Sequence, residues 1–243
     1  MSRYYRSTSS GIGYPIWSPA VRALILSCVV VFVLQFFDEN YGSYTLLRSF
    51  GLTPYLVTHS LYLWQLATYI FLHDVHGITH ILFNMLGLWM FGSDLERAWG
   101  ARKFVTYFFV CGVGAGVLTA VISPNSTAPT IGASGAIYGV LLAYAMMFPT
   151  RIIYFLIFPM PAKWFAVIMG GLAFFSSLSA NSGGVAYIAH LGGMLFGFLY
   201  LRGGRLVPDL KWQYEQWQRR RLRRKFDVYY NDRNRKDNDR RPN

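Results

Sequence analysis

The sequence predicts an all-α, polytopic membrane protein: a bundle of six spanning helices with both termini in the cytoplasm. Three observations predict this fold. Of the 243 residues, 53% are hydrophobic and only 14% are charged. The apolar residues form uncharged stretches of the length that crosses a bilayer, about 20 residues. Basic residues are concentrated in every second connection between those stretches, which fixes their direction across the membrane.

Six apolar stretches are interpreted as spanning helices, because charged residues are almost absent from them. Between residues 40 and 93, for example, the only charged residues are Arg48 and Asp74. The first stretch has a long apolar core without a small-residue cleavage site, so we interpret it as a retained helix and not a signal peptide. The predicted spans are Ala20–Phe37, Ile78–Ser93, Phe104–Ile122, Thr130–Phe148, Lys163–Ser179 and Val185–Leu201.

The distribution of Lys and Arg gives the orientation, because cytoplasmic loops carry an excess of both. The excess is found in the N-terminal segment, in the loops after the second and fourth spans, and in the tail, whereas the remaining loops hold only Arg48. Both termini are therefore predicted to be cytoplasmic, and the second, fourth and sixth spans run from outside to inside. Outside the tail, the residues of the excess are Arg3, Arg6, Arg22, Arg97, Arg102, Lys103, Arg151 and Lys163.

Charge also divides the chain into three parts. Residues 1–19 form a cytoplasmic N-terminal segment, residues 20–201 the six-helix membrane domain, and residues 202–243 a basic, partly disordered tail. The tail has fourteen Lys and Arg against six Asp and Glu, which is +8 of the net +12. The run Arg219–Lys225 has the composition of a nucleic-acid-binding segment. A basic cluster beside a cytoplasmic membrane face is ordinarily a topology determinant and a contact for anionic lipids, so we predict lipids and no nucleic acid as its partner.

Few strongly polar side chains interrupt the spans, and those that do lie at one depth. They are His80 and Asn84 in the second span, Ser134 in the fourth and His190 in the sixth. With a rise of 1.5 Å per residue, each lies roughly 5–10 Å below the outer surface. Polar groups inside lipid are unfavourable and commonly mark function, so we expect these four to converge on one site. The aromatic segment Val33–Phe37 of the first span is interpreted as packing.

The serine and the histidine are predicted to form a nucleophile and its base. Small residues spaced four apart beside both let the two helices approach closely, as a hydroxyl–imidazole hydrogen bond of about 2.6–3.2 Å requires. The neutral His190 imidazole would take the Ser134 proton during attack on a carbonyl and return it to the leaving amine. Because the spans offer no carboxylate to orient His190, the predicted unit is a dyad. The small residues are Gly135, Gly139, Gly193 and Gly197.

Three more residues are predicted to support this dyad. Tyr138 lies one helical turn beyond Ser134 and is expected to hold the His190 ring by stacking. The Asn84 amide, His80 and the Ser134 backbone N–H are expected to stabilise the oxyanion, since Asn84 and His80 share one helix face. Each residue also has a plainer interpretation: a serine bonded to its own helix, a structural or proton-conducting histidine, and an asparagine joining helices. No metal site or cofactor is predicted.

Four segments carry a likeness to a known family, in the order in which that family has them. They resemble the rhomboid intramembrane serine proteases, and the likeness covers about Ala20–Leu201. The segments are HILFNMLGLWMFG (His80–Gly92), DLERAWGARKF (Asp94–Phe104), GASGAIYG (Gly132–Gly139) and VAYIAHLGGMLFG (Val185–Gly197).

The resemblance implies a function and assigns residue roles. Ser134 would be the nucleophile and His190 the general base, with Tyr138 packed on the histidine. His80 and Asn84 would complete the oxyanion hole with the Ser134 amide. Such enzymes cleave transmembrane segments of other membrane proteins without a cofactor.

The family's architecture is implied as well. The resemblance implies a water-filled cavity open to the outside, a substrate gate near the second and fifth helices, and a membrane-associated loop at Asp38–Gly77. In a bacterium the protein would lie in the plasma (inner) membrane. The chain departs from the family where a histidine often lies five residues before the one matched by His80, since Val75 is found there. His73 and His76 lie nearby, and neither is assigned a catalytic role.

Two other functional classes compete with this interpretation. Non-catalytic rhomboid relatives that bind and escort membrane proteins typically lack the serine or the histidine, and this chain has both. A transporter or channel predicts inverted repeats or broken helices with several charged groups, which the sequence does not contain.

Overall fold

Helices account for most of the described part of the protein. A computed structural model describes residues 17–155, 158–178 and 184–206. The chain divides into two units, Met1–Tyr200 and Leu201–Asn243. The helices are α1 (Pro19–Asn40), α2 (Thr45–Phe50), α3 (Pro54–Ser60), α4 (Gln65–Thr68), α5 (Ile78–Gly87), α6 (Ser93–Trp99), α7 (Ala101–Ile122), α8 (Ser134–Met147), α9 (Ala162–Ser177) and α10 (Gly184–Leu206).

Two of these helices are long and apolar enough to cross a membrane when judged by length and composition. They are α1 and α7, each of 22 residues. Helices α8 and α9 are apolar but shorter, with 14 and 16 residues. The count of six spans and the orientation of the termini therefore stay predictions. The basic run Arg219–Lys225 lies outside the described residues, whereas α10 continues five residues beyond the predicted span end, to Leu206.

The second predicted span is not one uniform helix. Helix α5 ends at Gly87, a π-helical turn follows at Leu88–Gly92, and α6 continues to Trp99. Single π turns inside helices are rare and frequently lie at functional sites. Here the turn places Met90 and Phe91 on the wall of a cavity.

The fourth predicted span begins later than expected. Helix α8 starts at Ser134 and not at Thr130, because Gly132 has a φ of +115° that interrupts a helix and that glycine tolerates best. The Gly132 N–H donates instead to the carbonyl of Tyr69 at 2.9 Å. Ser134 is thus the first residue of its helix rather than a residue within it.

Helices α7, α8 and α10 approach one another through glycines. A Cβ added to Gly193 would overlap the carbonyl oxygen of Gly135, and one added to Gly139 would overlap the Cys111 side chain. Tyr107 lies on α7, and its hydroxyl donates to the Gly139 carbonyl of α8 at 2.7 Å. The backbones of α8 and α10 therefore touch directly.

Two acidic residues join the helix ends near α6. Glu96 is 4% exposed and accepts hydrogen bonds from the Ala20 and Val21 N–H groups, both at 2.9 Å, so it caps α1. Asp94 accepts from Arg151 at 2.7 Å and also pairs with Arg97.

One β-hairpin departs from the expected all-α fold. Strand β1 (Ile152–Phe155) pairs antiparallel with β2 (Phe158–Pro161), and Ile152 lies opposite Pro161. The hairpin connects α8 to α9, and the Ile153 side chain is 5% exposed. Ile153 is one of the residues that line the cavity.

Candidate active site

The structure brings Ser134 and His190 into hydrogen-bond contact. His190 Nε2 lies 2.8 Å from Ser134 Oγ, although the two residues are 56 positions apart. This contact is possible because α8 packs closely on α10. Glycines, which have no side chain, lie where the two helices meet. For the hydroxyl to donate, Nε2 must be unprotonated, so the neutral ring carries its proton on Nδ1.

The His190 ring is held by two tyrosines. The Tyr138 ring stacks on it with centroids 4.2 Å apart and planes only 5° from parallel. Tyr187, one turn earlier on α10, meets it edge-on at 5.7 Å and 83°. Nδ1 is buried and has no hydrogen-bond partner among the described residues. Ring packing therefore orients this imidazole, which is the role that a carboxylate has in a triad.

The N-terminus of α8 adds hydrogen-bond donors beside the Ser134 hydroxyl. The first N–H groups of a helix have no acceptor within the helix, and the helix dipole makes this end electropositive. Ser134 is the first residue of α8, so its own backbone N–H is one of these donors. A negative charge that develops on a carbonyl oxygen beside Ser134 Oγ would be stabilised there.

His80 presents a second donor to the same place. The Asp74 N–H donates to His80 Nδ1 at 3.4 Å, so Nδ1 is an acceptor and the neutral ring carries its proton on Nε2. His80 Nε2 would lie 2.9 Å from a Cβ added to Gly132. The imidazole N–H is therefore placed against the backbone that leads into Ser134.

Asn84 lies beside His80, and one of its donors is already used. Its Nδ2 donates to the His80 carbonyl at 2.8 Å, and the residue is 6% exposed. The amide carries two N–H groups, so this bond leaves the second one unused. A Cβ added to Gly132 would lie 3.9 Å from Asn84 Nδ2, so both side chains of α5 converge on one glycine.

All five predicted residues line one cavity of about 1020 Å³. Its walls come from α5, the π turn, α8, α9, α10 and β1, and most of them are apolar, including Phe83, Ile137 and Phe165. Asp74 is the one carboxylate among the residues that line it. A cavity of this size and lining can take up a largely apolar ligand.

The sequence did not predict that a buried polar group, His73, packs behind His80. His73 is completely buried, and its ring centroid lies 5.3 Å from that of His80. The His73 backbone N–H donates to the Gln35 side-chain oxygen at 3.1 Å. Burial first, and the nearby His80 second, lower the pKa of His73 to about 4. The one signal in the sequence was a glutamine inside an otherwise apolar span, which we interpreted as packing.

Metal ligation is not suggested by the described residues. Within those ranges no three His, Cys, Asp or Glu side chains are grouped so that they could hold a metal ion. The polar groups that line the cavity include the Ser134 hydroxyl, the His80 and His190 imidazoles and the Asn84 amide, a combination suited to acyl transfer.

Comparisons with known proteins match the chain to one family. The family model of the Rhomboid domain matches residues 60–204. "Rhomboid protein 1, mitochondrial" of Saccharomyces cerevisiae is 35% identical over 134 residues, 50% of this chain and 36% of that protein. "Rhomboid protease GluP" of Bacillus subtilis is 34% identical over 137 residues, 56% of this chain and 25% of that protein.

A third relative matches more of the chain at lower identity. "Rhomboid protease GlpG" of Yersinia pseudotuberculosis is 24% identical over 182 residues, 74% of this chain and 61% of that protein. The chain thus aligns with less than two thirds of the length of each of these three relatives. The matched region contains all five predicted site residues.

Proposed function

Since the chain belongs to the rhomboid family of membrane-embedded proteins, we propose that it is an intramembrane serine protease. It hydrolyses peptide bonds in or near transmembrane segments of other membrane proteins. The observation that carries this proposal is the 2.8 Å contact between Ser134 Oγ and His190 Nε2. The names of relatives such as "Rhomboid protease GluP" support the same reaction.

The first half of the reaction forms an acyl-enzyme. Ser134 Oγ attacks the scissile carbonyl carbon as His190 Nε2 takes the hydroxyl proton. His190 then gives this proton to the amide nitrogen, the C–N bond breaks, and the new amine leaves. In the second half, water attacks the ester carbon as His190 accepts a proton from the water. His190 then returns this proton to Ser134 Oγ, the ester C–O bond breaks, and the new carboxylic acid leaves. No cofactor is required.

The oxyanion of both tetrahedral intermediates is stabilised by three donors. They are the Ser134 N–H, the His80 Nε2–H and the free N–H of the Asn84 amide. One such donor typically contributes on the order of 10²–10³ in kcat. Tyr138 and Tyr187 keep the His190 ring in place by packing against it, since no carboxylate partner orients it.

The proposed protease crosses the membrane six times, with both termini in the cytoplasm. The spans run so that Ser134, His80 and Asn84 lie near the outer surface, where water can enter the cavity. Substrates are transmembrane proteins that enter from the lipid, and anionic lipids contact the basic tail at residues 202–243. In a bacterium this places the protein in the plasma membrane.

Labelling by a fluorophosphonate probe tests the nucleophile. The purified protein should be labelled and should cleave a transmembrane substrate in proteoliposomes, whereas Ser134→Ala should do neither. His190→Ala should lose cleavage nearly as completely, because members of one catalytic unit are strongly non-additive. Ser27→Ala is the matched control: Ser27 also lies in a spanning helix, and its hydroxyl donates to the Ala23 carbonyl at 2.9 Å.

Two outcomes would contradict the mechanism. Full cleavage by Ser134→Ala would exclude Ser134 as nucleophile. A folded wild-type protein that binds transmembrane segments, but neither reacts with the probe nor cleaves any of them, would support the alternative, a non-catalytic escort factor.

A further inference from the structure

Helix α1 carries two buried polar side chains that the proposed reaction does not use. Gln35 is completely buried and Glu39 is 8% exposed. They lie one turn apart, and Gln35 Nε2 donates to Glu39 Oε1 at 2.8 Å. Buried polar groups in a membrane helix are unfavourable and commonly functional, so this pair requires an explanation beyond packing.

Both side chains hold the loop that precedes α5. Gln35 Oε1 accepts the His73 N–H at 3.1 Å. Glu39 Oε2 lies 3.5 Å from His76 Nε2. The pair therefore contacts the loop on both sides of Asp74. Residues 73–76 are called the tethered loop below.

The tethered loop in turn contacts His80 twice. The Asp74 N–H donates to His80 Nδ1 at 3.4 Å, and the His73 ring packs against the His80 ring at 5.3 Å. Asp74 Oδ1 also accepts the His76 N–H at 2.9 Å, a hydrogen bond within the loop that favours this conformation. A donor at Nδ1 selects the tautomer with its proton on Nε2, the nitrogen beside Gly132.

We propose that Gln35 and Glu39 are positioning residues for His80. They fix the tethered loop so that its backbone N–H keeps His80 in the tautomer and orientation that donate to the oxyanion. The inference rests on the proposed function, because it assigns His80 to the oxyanion hole. It extends the site to α1, a helix that contributes no residue to the cavity wall.

This role differs from a purely structural one in a measurable way. If the pair only stabilises α1, its loss lowers the melting temperature and reduces activity equally whether His80 is present or not. If it acts through His80, its effect on turnover disappears once His80 has been removed. A double-mutant cycle measures this coupling.

The cycle uses Gln35→Ala, His80→Ala and the double variant. Steady-state cleavage of a transmembrane substrate is measured in proteoliposomes at several substrate densities, with the melting temperature of each preparation. We expect Gln35→Ala to lower kcat about 10-fold, part of the 10²–10³ that one oxyanion donor contributes, and to change KM about twofold or less, since ground-state binding is kept. In the His80→Ala background, Gln35→Ala should cause no further loss.

Asp38→Ala is the matched control on the same helix. Asp38 Oδ2 accepts the Leu46 N–H at 2.8 Å, so it also ties α1 to a loop, but to a different one. It should leave kcat unchanged with and without His80. If Gln35→Ala fails to fold, His76→Ala replaces it in the cycle, because the His76 side chain is 78% exposed and its loss releases only the far end of the tethered loop.

Equal losses in both backgrounds, for Gln35→Ala or for its replacement His76→Ala, would overturn the positioning role. Ser134→Ala separates this failure from that of the proposed function. If Ser134→Ala is inactive while the losses are equal in both backgrounds, only the inference about α1 is wrong. If Ser134→Ala cleaves normally, the protease mechanism itself is wrong.

Discussion

Asn84 makes a hydrogen bond that serves its own helix and also faces the proposed site. Its amide donates to the His80 carbonyl at 2.8 Å, so a substitution removes a structural contact and a candidate oxyanion donor together. We predict that Asn84→Ala lowers kcat by about 10²-fold, with a smaller change in KM. Kinetics and melting temperature measured on one preparation check this.

Thr119→Val provides the comparison for Asn84. Thr119 is completely buried, and its hydroxyl donates to the Ala115 carbonyl at 2.9 Å, four residues back along its helix. Its loss removes the same kind of contact away from the cavity, and kcat should be retained. An Asn84→Ala protein that melts early but turns over normally would show that Asn84 only joins parts of the fold.

His73 makes stability depend on pH. Its pKa is lowered to about 4 in the folded protein, by burial and then by His80, from 6.5. Because the unfolded chain binds the proton first, stability is fully present above pH 6.5 and is lost as the pH falls toward 4. The predicted loss is on the order of 3 kcal/mol.

The measurement compares wild type with His73→Asn between pH 7 and pH 4. The asparagine amide can still donate to the Phe71 carbonyl, which lies 3.2 Å from His73 Nδ1, but it does not titrate. The variant should lose less stability on acidification. Equal pH dependence in the two proteins would show that His73 is not the titrating group.

At the scale of elements, α8 and α10 are joined by contacts that only glycine permits. A Cβ at Gly193 would overlap the Gly135 carbonyl oxygen, so even Gly193→Ala must separate the two helices. Since the Ser134–His190 contact depends on this approach, we predict a lower melting temperature and a large loss of turnover together. Overpacking of this kind typically costs about 1–3 kcal/mol.

Gly171→Ala is the control for the glycine contact. Gly171 lies inside α9, and a Cβ there meets no atom within 4 Å. Alanine favours a helix over glycine by about 1 kcal/mol, so this variant should be equally or slightly more stable and fully active. Normal stability and turnover of Gly193→Ala would exclude the close approach.

The elements also show how far the sequence determines the fold. The apolar stretches of the sequence indicated where long helices would lie, because the hydropathy of a segment is known without its tertiary structure. The start of α8 at Ser134 depends on the φ of Gly132, and the π turn at Leu88–Gly92 depends on packing. Neither leaves a periodic pattern. The hairpin Ile152–Pro161 was not predicted, because periodicity in a short apolar run does not by itself identify a strand.

The candidate site follows the same rule. The contacts of Ser134 and Tyr138 with His190 could be expected, since the helical turn and the glycine spacing favour them, whereas the catalytic roles stay predictions. The contact of Gln35 could not be expected, because its partner is the backbone of His73, 38 residues away, and a backbone N–H has no sequence signal.

On the scale of the whole molecule, the charges predict which side of the membrane each loop faces. Of the 23 Lys and Arg residues, fourteen lie in residues 202–243, and the excess there is predicted to keep the tail in the cytoplasm. The same rule places the loop before α8 outside and the loop after it inside. Helix α8 has 14 residues, or about 21 Å, less than the roughly 30 Å of a hydrocarbon core.

The short length makes α8 the most informative helix for the topology. We predict that Asn125→Cys, before α8, reacts with a membrane-impermeant maleimide in intact cells, whereas Thr150→Cys, after α8, reacts only once the membrane is opened. Both positions are exposed. The native thiols need no replacement, because Cys28 and Cys111 are 1% and 0% exposed. Labelling of Thr150→Cys alone would invert the proposed orientation and place the cavity toward the cytoplasm. Labelling of both in intact cells would mean that α8, with its extended entry through Gly132, does not cross the bilayer.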